Sequence, residues 1–308
     1  MLISKKVNVY RILSGTWRHF LFEIIACVAA YFFYKYIESI HLFDSILVSS
    51  IIPTILGTAL AFFIGFNNNQ AYDRWWEARK IWGSLVNDSR SWARQIIYYV
   101  KEAPAADTVD LHTLKHTMVY RHIAFLYALK DNLRNSNFQD YRAYLSKEDI
   151  IAVEKESNKS NAILNLQSED LEKLRSQDAI DGFKFLEFNK MLINFCDEMG
   201  MSERIKNTVF PTTYNFYTRV FIWIFIISVT WSSVDEMGAW SIMIGILVGY
   251  IFLTTHKIGM ALLNPFENIP TGIPLDQITR TIEINLLEAL KETNIPAPVK
   301  SINGEYIM

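Results

Sequence analysis

The sequence predicts an all-α membrane protein with four transmembrane helices and a large cytoplasmic helical region. Of its 308 residues 51% are hydrophobic and 20% are charged, and the net charge is −2. Long apolar segments lie towards both ends of the chain, and the more polar region between them shows no alternating strand pattern. This composition is typical of a protein that is partly embedded in a membrane and partly water-soluble.

Four segments are apolar enough to cross a bilayer, because about 20 apolar residues form a spanning helix. The predicted spans are residues 20–34, 45–66, 214–231 and 237–255. The second span contains no Asp, Glu, Lys, Arg or His. Glu23 lies within the first span, which argues against a secretory signal. Either Glu23 pairs with Arg18 or another nearby cation, or it has a function of its own.

The charges of the loops predict the orientation of the spans. Basic residues precede the first span and follow the second, whereas the two short connections are acidic. The acidic residues there are Glu38, Asp44, Asp235 and Glu236, with Lys35 as the base beside them. The positive-inside rule therefore places both termini and the middle region in the cytoplasm. The predicted parts are an N-terminal segment 1–19, spans one and two in 20–66, a cytoplasmic region 67–213, spans three and four in 214–257, and a C-terminal segment with a tail in 258–308.

Span two carries two side-by-side patterns with a period of four residues. Its small residues Gly57, Ala61 and Gly65 form a ridge, and Thr58, Phe62 and Phe66 form a largely aromatic stripe about 100° around the helix. A small ridge lets helices approach closely in lipid. We therefore favour a pore in which the stripe forms a hydrophobic constriction. The helix alone leaves open the alternative that Phe62 and Phe66 face lipid.

Apolar residues outside the spans recur every three to four positions, which predicts helices. We expect helices at 118–133, 171–199 and 275–292, with loops at 104–106 and 157–161. Four spans with short connections make a thin subunit that cannot enclose a pore by itself. A ring of identical subunits related by cyclic symmetry would enclose one.

No catalytic or cofactor-binding pattern appears, so we expect no enzyme activity. The sequence has no Gly-x-Ser-x-Gly motif and no Gly-Lys-Ser/Thr phosphate loop. His112 and His116 have a chelating spacing but no obvious third ligand, so we expect no metal site. Cys27 and Cys196 fall in different predicted regions and should not pair. The mixed signs of the cytoplasmic charges argue against nucleic-acid binding.

Several short motifs make the chain resemble the bestrophin family, in particular its bacterial branch. The motifs are IGF at 64–66, DRWWEAR at 73–79, IWG at 81–83, ERIKNT at 203–208 with Pro211, NPF at 264–266, PLD at 274–276 and IEINLL at 282–287. They lie in the family's order over nearly the whole chain. The resemblance implies a homopentamer in the bacterial inner membrane that passes small monovalent ions through one central pore.

The resemblance also implies two constrictions along that pore. Span two lines a narrow hydrophobic neck in the family, and its three positions correspond to Thr58, Phe62 and Phe66. Thr58 departs from the apolar residue usual there, so we expect the upper neck to wet more easily. The second constriction lies at the cytoplasmic exit, on the helix that corresponds to about 179–199. The candidates for it are Phe183 and Leu192.

Calcium activation is not expected. Animal members carry a run of acids shortly after Asn-Pro-Phe that helps to bind Ca²⁺. The corresponding residues 267–272 contain one carboxylate, Glu267. One carboxylate cannot supply the six to eight oxygens that Ca²⁺ takes.

The expected mechanism is physical, because rings of Phe62 and Phe66 would be too narrow and apolar to hold a stable water column and would gate by dewetting. Acidic outer loops would concentrate cations, whereas the positive edges of aromatic rings would favour anions. The balance favours cations.

A secondary transporter and a membrane-anchored sensor or scaffold are the alternatives, and the lack of internal repeats argues against the transporter.

Overall fold

The computed structural model describes residues 9–40, 51–101, 111–302, 304 and 306–307. These residues are mainly α-helical, and they contain no β-strand beyond an isolated bridge between Ile302 and Tyr306. The all-α prediction is confirmed. The helices are α1 (Val9–Ser39), α2 (Ile51–Tyr99), α3 (Leu111–Arg134), α4 (Lys147–Lys155), α5 (Lys159–Ser176), α6 (Gly182–Asn207), α7 (Thr212–Ser232), α8 (Val234–Met237), α9 (Trp240–Met260) and α10 (Leu275–Ala289).

Three of the four predicted spans overlap helices that are long and apolar enough to cross a membrane, and residues 45–50 of the second span lie outside the described residues. These helices contain the segments Gly15–Ser39, Ile51–Tyr99 and Trp240–Met260. The remaining predicted span is α7, a 21-residue helix whose early turns carry Asn215, Thr218 and Arg219 and are therefore less apolar. Its role as a span stays a prediction. Helix α7 packs against both α1 and α9.

The described residues form two compact units. The membrane unit consists of Lys5–Arg74 and Val209–Leu263, and the helical unit consists of Trp75–Thr208 and Asn264–Met308, in each case as far as these residues are described. Helix α2 contributes its first part to the membrane unit and its second part to the helical unit.

The membrane unit is packed through small residues on α9. The buried residues of this helix are Ser241, Gly245, Gly249, His256 and Gly259. A Cβ at Gly245 would overlap the Thr230 hydroxyl, so glycine is what allows α9 to approach α7 this closely. The sequence signal of this contact is the Ser-x₃-Gly-x₃-Gly spacing at 241–249, which is separate from the small ridge predicted on span two.

The helical unit has a large aromatic core. Its fully buried side chains include Trp82 and Trp92 from α2, Phe125 from α3, and Phe188 and Phe195 from α6. The ring of Trp92 makes edge contacts with Phe188 and Phe195, at centroid distances of 5.6 and 5.9 Å. Edge-to-face pairs of this kind stabilise a core beyond the area that they bury.

The predicted helix over 171–199 is wrong as a single element. The chain turns between α5 and α6, and the side chain of Asp181 accepts a hydrogen bond from the backbone N–H of Lys184 and so starts a new helix. The predicted loop at 157–161 is also wrong in part, because Asn158 caps α5 and the helix begins at Lys159. The predicted loop at 104–106 lies outside the described residues.

Candidate ion pathway

Helix α2 has one face buried within its own subunit. Leu60 and Ile64 are 2% and 3% exposed and belong to a cluster with Ile222, Phe225 and Ile226 of α7. This apolar contact fixes the rotation of the first part of α2 about its axis.

The predicted neck positions lie on the opposite side of the same helix. Phe62 and Phe66 follow the buried Leu60 and Ile64 by two residues, which is about 200° around the helix. Phe62 is 73% exposed and Phe66 is 57% exposed, and Thr58 is exposed as well. Two large aromatic rings are thus presented away from the core of the subunit. Side chains exposed in this way can face either a shared pore axis or the surrounding lipid. The role of Phe62 and Phe66 in a neck therefore stays a proposal.

The hydroxyl group of Thr58 is already engaged within the helix. It donates a hydrogen bond of 2.9 Å to the carbonyl oxygen of Thr54. The side chain therefore offers acceptor lone pairs to its surroundings and keeps its proton on the backbone. An acceptor at this position would help water molecules to enter the upper end of a neck.

Only one residue of the small ridge of span two, Gly57, packs closely against another helix of the subunit, as far as the structure describes it. A Cβ at Gly57 would lie 2.8 Å from the ring of Phe225, so α7 depends on glycine there for its close approach. An added Cβ at Gly65 would meet no atom within 4 Å in the part of the chain that the structure describes, and Ala61 is exposed. Ala61 and Gly65 are therefore available for contact with another subunit.

Of the two candidates for a cytoplasmic constriction, Leu192 is excluded by its burial. Leu192 is 6% exposed and belongs to the core of the helical unit, so it cannot line a shared passage. Phe183 is 87% exposed in the first turn of α6. Phe183 is the candidate that remains.

Two of the predicted outer acids, Glu38 and Asp235, already have partners within the subunit. Glu38 forms an ion pair of 2.7 Å with Lys35, and Asp235 accepts hydrogen bonds of 2.8 Å from the hydroxyl group of Tyr34. Glu236 is exposed, and Asp44 lies outside the described residues. Lys35, the base that the sequence sets against these acids, is thus paired with Glu38.

Glu267, the one carboxylate after Asn-Pro-Phe, is hydrogen-bonded to the asparagine of that motif. The side-chain amide of Asn264 donates a hydrogen bond of 2.6 Å to the Glu267 carboxylate. Among the described residues, no group of three or more His, Cys, Asp or Glu side chains is arranged to hold a metal ion. His116, one of the two histidines with a chelating spacing, lies 3.2 Å from the carboxylate of Glu292.

An acidic groove in the helical unit was not predicted from the sequence. Glu77, Asp88, Asp197 and Glu198 line it together with Lys80. Glu198 is 3% exposed, and neither of its carboxylate oxygens has a hydrogen-bond partner within the described chain. Burial, together with the negative charges of Asp88 and Asp197, raises the pKa of Glu198 to about 8. No periodicity distinguishes this acid from the exposed acids around it.

Glu198→Gln is expected to remove a pH dependence of stability. Between the ordinary pKa of a glutamate and about 8, the folded protein holds a proton on Glu198 that the unfolded chain has released. The free energy of unfolding therefore falls as the pH rises through this window. The variant should match the wild type near pH 4 and be more stable by a few kcal/mol, on the order of 2–4, above pH 8. Thermal unfolding of the purified protein between pH 4 and 9 measures the difference.

Glu169→Gln provides the control for this prediction, because Glu169 is an exposed acid on α5. Its melting curves should follow those of the wild type at every pH. A parallel pH dependence in Glu198→Gln and in the wild type would show that Glu198 is not the titrating group.

Comparison with known proteins identifies relatives over most of the chain. A family model described as Bacterial/Fungal Bestrophin protein matches residues 4–288. The chain is 30% identical over 247 residues to the "Voltage-dependent anion channel-forming protein YneE" of Escherichia coli strain K12, which covers 80% of this chain and 78% of the relative. It is 28% identical over 244 residues to the "Voltage-dependent anion channel-forming protein alr2987" of Nostoc, and this match covers 78% of this chain and 76% of the relative.

Solved structures share the fold. A bacterial bestrophin homologue from Klebsiella pneumoniae superposes with a TM-score of 0.80 at 24% identity, over 89% of this chain and 98% of the homologue. A point mutant of that homologue gives a TM-score of 0.79 at 25% identity, over 88% and 97% of the two chains.

Proposed function

Because the chain belongs to the bacterial and fungal bestrophin family, we propose that it forms a homopentameric channel that passes small monovalent ions passively through one central pore. The observation that carries the proposal is the position of Phe62 and Phe66, which are exposed on the side of α2 opposite its buried face. The relatives at about 30% identity are named as channel-forming proteins, which supports the same function.

The subunit offers a surface for such an assembly. Its exposed face on α2 combines two small residues, Ala61 and Gly65, with the rings of Phe62 and Phe66. Small residues permit close contact between helices in lipid, and cyclic symmetry brings identical faces around one axis. In this arrangement the small residues contact the neighbouring subunit and the rings point towards the axis.

The neck gates by dewetting. Five copies of Phe62 and Phe66 form two stacked apolar rings, and a narrow apolar constriction is unfavourable for a water column. A small rotation of the first part of α2 would widen the rings and let water and ions enter. Phe183, exposed at the start of α6, contributes the second constriction at the cytoplasmic exit.

The preferred ion is an anion in this proposal. The cation preference expected from the sequence rested on four outer acids opposed by one base, Lys35, which is paired with Glu38. The edges of aromatic rings carry partial positive charge and favour anions in the neck. The names of the relatives, as anion channel-forming proteins, support the same choice.

The channel works in the bacterial inner membrane with both termini in the cytoplasm, and it needs no calcium. The loop charges support this orientation. The hydrogen bond from Asn264 to Glu267 occupies part of the one carboxylate after Asn-Pro-Phe, which supports the absence of a calcium site.

Recording from the purified protein in a planar bilayer under a potassium chloride gradient tests the proposal. We expect discrete current steps that reverse near the equilibrium potential of chloride and do not change when micromolar Ca²⁺ is added. Reversal near the equilibrium potential of potassium would restore the cation preference. A continuous current without resolvable steps would indicate a transporter, and no current at all would indicate a sensor or scaffold.

A further inference from the structure

A cavity of about 210 Å³ lies within the membrane unit, between α1, α7 and α9. Its apolar walls include Phe20 of α1, Trp223 of α7 and Tyr250 of α9. A cavity of about 150 Å³ is enough to hold benzene in a protein core. This cavity is therefore large enough for a molecular group of several heavy atoms.

Two buried side chains that line this cavity carry polar atoms without a hydrogen-bond partner among the described residues. Glu23 is 1% exposed, and its Oε1 atom has no hydrogen-bond partner within the described chain. His256 is 5% exposed, and neither of its ring nitrogens has a partner there. Buried polar groups are normally hydrogen-bonded, and an ionisable side chain inside a membrane protein usually has a function.

The pairing of Glu23 with Arg18 that the sequence suggested is not formed. The guanidinium carbon of Arg18 lies 5.7 Å from the centre of the Trp17 ring instead. No ion pair between Arg18 and Glu23 occurs in the part of the chain that the structure describes. The carboxylate is therefore left for another group.

The packing of α9 makes room for this carboxylate. A Cβ at Gly249 would overlap Oε1 of Glu23 and would come within 2.7 Å of Ile226. Glycine at this position therefore lets the Glu23 side chain occupy its buried place between α1 and α9. Any larger residue would displace it.

Two cationic side chains complete the lining. Arg219 and Lys257 are both exposed, and both lie close enough to His19 to act on it electrostatically. The Lys257 ammonium donates a hydrogen bond to the carbonyl oxygen of Gly15, which anchors it beside the start of α1. The cavity therefore combines a buried acid with a cationic rim.

The hydrogen-bonding capacities of these groups define the ligand. A carboxylate only accepts, guanidinium and ammonium groups only donate, and a neutral imidazole does one of each. A ligand that satisfies all of them carries an anion for Arg219 and Lys257 and an N–H donor for Glu23. The apolar walls require that such a zwitterion be attached to an apolar body.

We infer that this cavity binds the headgroup of a phospholipid with a primary amine, its phosphate on Arg219 and Lys257 and its ammonium on Glu23. Basic pockets between membrane helices are known to hold lipid headgroups. With the predicted orientation, the site faces the cytoplasmic leaflet. The inference does not depend on ion conduction, because lipid binding is measured on the purified protein directly.

Native mass spectrometry of the full-length protein with phosphatidylethanolamine, phosphatidylcholine and phosphatidylglycerol of identical acyl chains tests this site. The choline headgroup has no N–H group and phosphatidylglycerol has no amine, so neither of these two lipids can donate an N–H hydrogen bond to Glu23. We expect the ethanolamine lipid to bind about tenfold more tightly than either, as a charge-assisted hydrogen bond provides. Glu23→Gln should reduce that preference to less than about twofold, and Arg219→Ala should weaken the binding of all three lipids.

Arg18→Ala is the matched control for Arg219→Ala, because Arg18 is an exposed arginine on α1 that does not line the cavity. It should leave the binding of every lipid unchanged. Gly249→Ala should also reduce the preference for the ethanolamine lipid, since it displaces the Glu23 carboxylate without removing it. The melting temperature of each variant without added lipid shows whether it is folded.

Three outcomes would overturn the inference. The first is equal binding of all three lipids by the wild type, and the second is an ethanolamine preference that survives in Glu23→Gln. The third is competition by free phosphoethanolamine at the same concentration as the lipid, which would assign the cavity to a soluble ligand.

Discussion

Replacing Phe62 and Phe66 together by alanine is expected to raise the open probability of the channel about tenfold or more. The reason is that the two rings are bulky and apolar and lie on the exposed face of α2, at 73% and 57% exposure. Their removal in five subunits widens the neck and lowers the cost of wetting it. A reduction of that cost by only about 1.4 kcal/mol already changes the ratio of open to closed states tenfold.

Single-channel recording in a planar bilayer measures this effect, with Phe22→Ala as the matched control. Phe22 is a phenylalanine of α1 with 65% exposure, so its replacement removes the same side chain elsewhere in the membrane unit. The control should gate like the wild type. Thr58→Val should act in the opposite direction and lower the open probability, because it replaces a hydrogen-bonding side chain by an apolar one of similar size.

The neck proposal would fail if the double variant gated like the wild type while the protein still conducted. In that case Phe62 and Phe66 would face lipid, as the alternative from the sequence allowed. Conduction through another passage would then have to be sought.

Arg121→Ala is expected to destabilise the helical unit by about 3–5 kcal/mol, the range measured when one partner of a buried ion pair is removed. Arg121 donates two hydrogen bonds to Asp149, at 3.0 and 2.7 Å, and a third to Asp170. All three side chains are at least nine-tenths buried. Alanine would remove the guanidinium from both carboxylates and leave Asp170 with the half-exposed Lys173, 3.1 Å away, as its cation.

The position of Arg121 explains the size of the effect. It lies on α3, while Asp149 lies on α4 and Asp170 on α5, so one guanidinium joins three helices. Its planar fork of donors meets both carboxylates at once, which an ammonium group cannot reproduce. Arg121→Lys should therefore recover only part of the lost stability.

Thermal unfolding followed by tryptophan fluorescence measures this loss, with Arg142→Ala as the control. Arg142 forms a partly exposed ion pair of 2.8 Å with Glu154, and water screens exposed pairs of this kind so that they add little to stability. A shift of about 10 °C in Arg121→Ala, and of no more than about 2 °C in Arg142→Ala, is the expected result. Equal shifts in the two variants would show that burial of the Arg121 network does not matter for stability.

The agreement between sequence and structure is best where a pattern depends on local chemistry. Apolar length predicts the spanning helices, and spacing shows that Thr58, Phe62 and Phe66 share one side of α2. The helix boundaries of the polar region agree less well. The break between α5 and α6 depends on the cap that Asp181 forms, whereas the apolar period continues across it and so predicts one helix.

Burial could not be predicted from the sequence. Phe183 and Leu192 were equal candidates for a constriction, yet one is exposed and the other lies in the core. Glu198 was not distinguished from its exposed neighbours, although it is one of the most buried acids described. A residue's burial depends on which other helices cover it, and periodicity along one helix contains no information about its neighbours.

The sequence by itself determined that this is an all-α membrane protein, which of its residues share a helical face, and through its motifs that it belongs to the bestrophin family. Only the tertiary structure decided which of those faces are covered, that Gly249 makes room for Glu23 between helices, and that Oε1 of Glu23 has no hydrogen-bond partner among the described residues. The physical reason is that helix formation and bilayer crossing depend on neighbours in the chain. The environment of a buried charge depends on side chains that are distant in sequence and are brought together by packing.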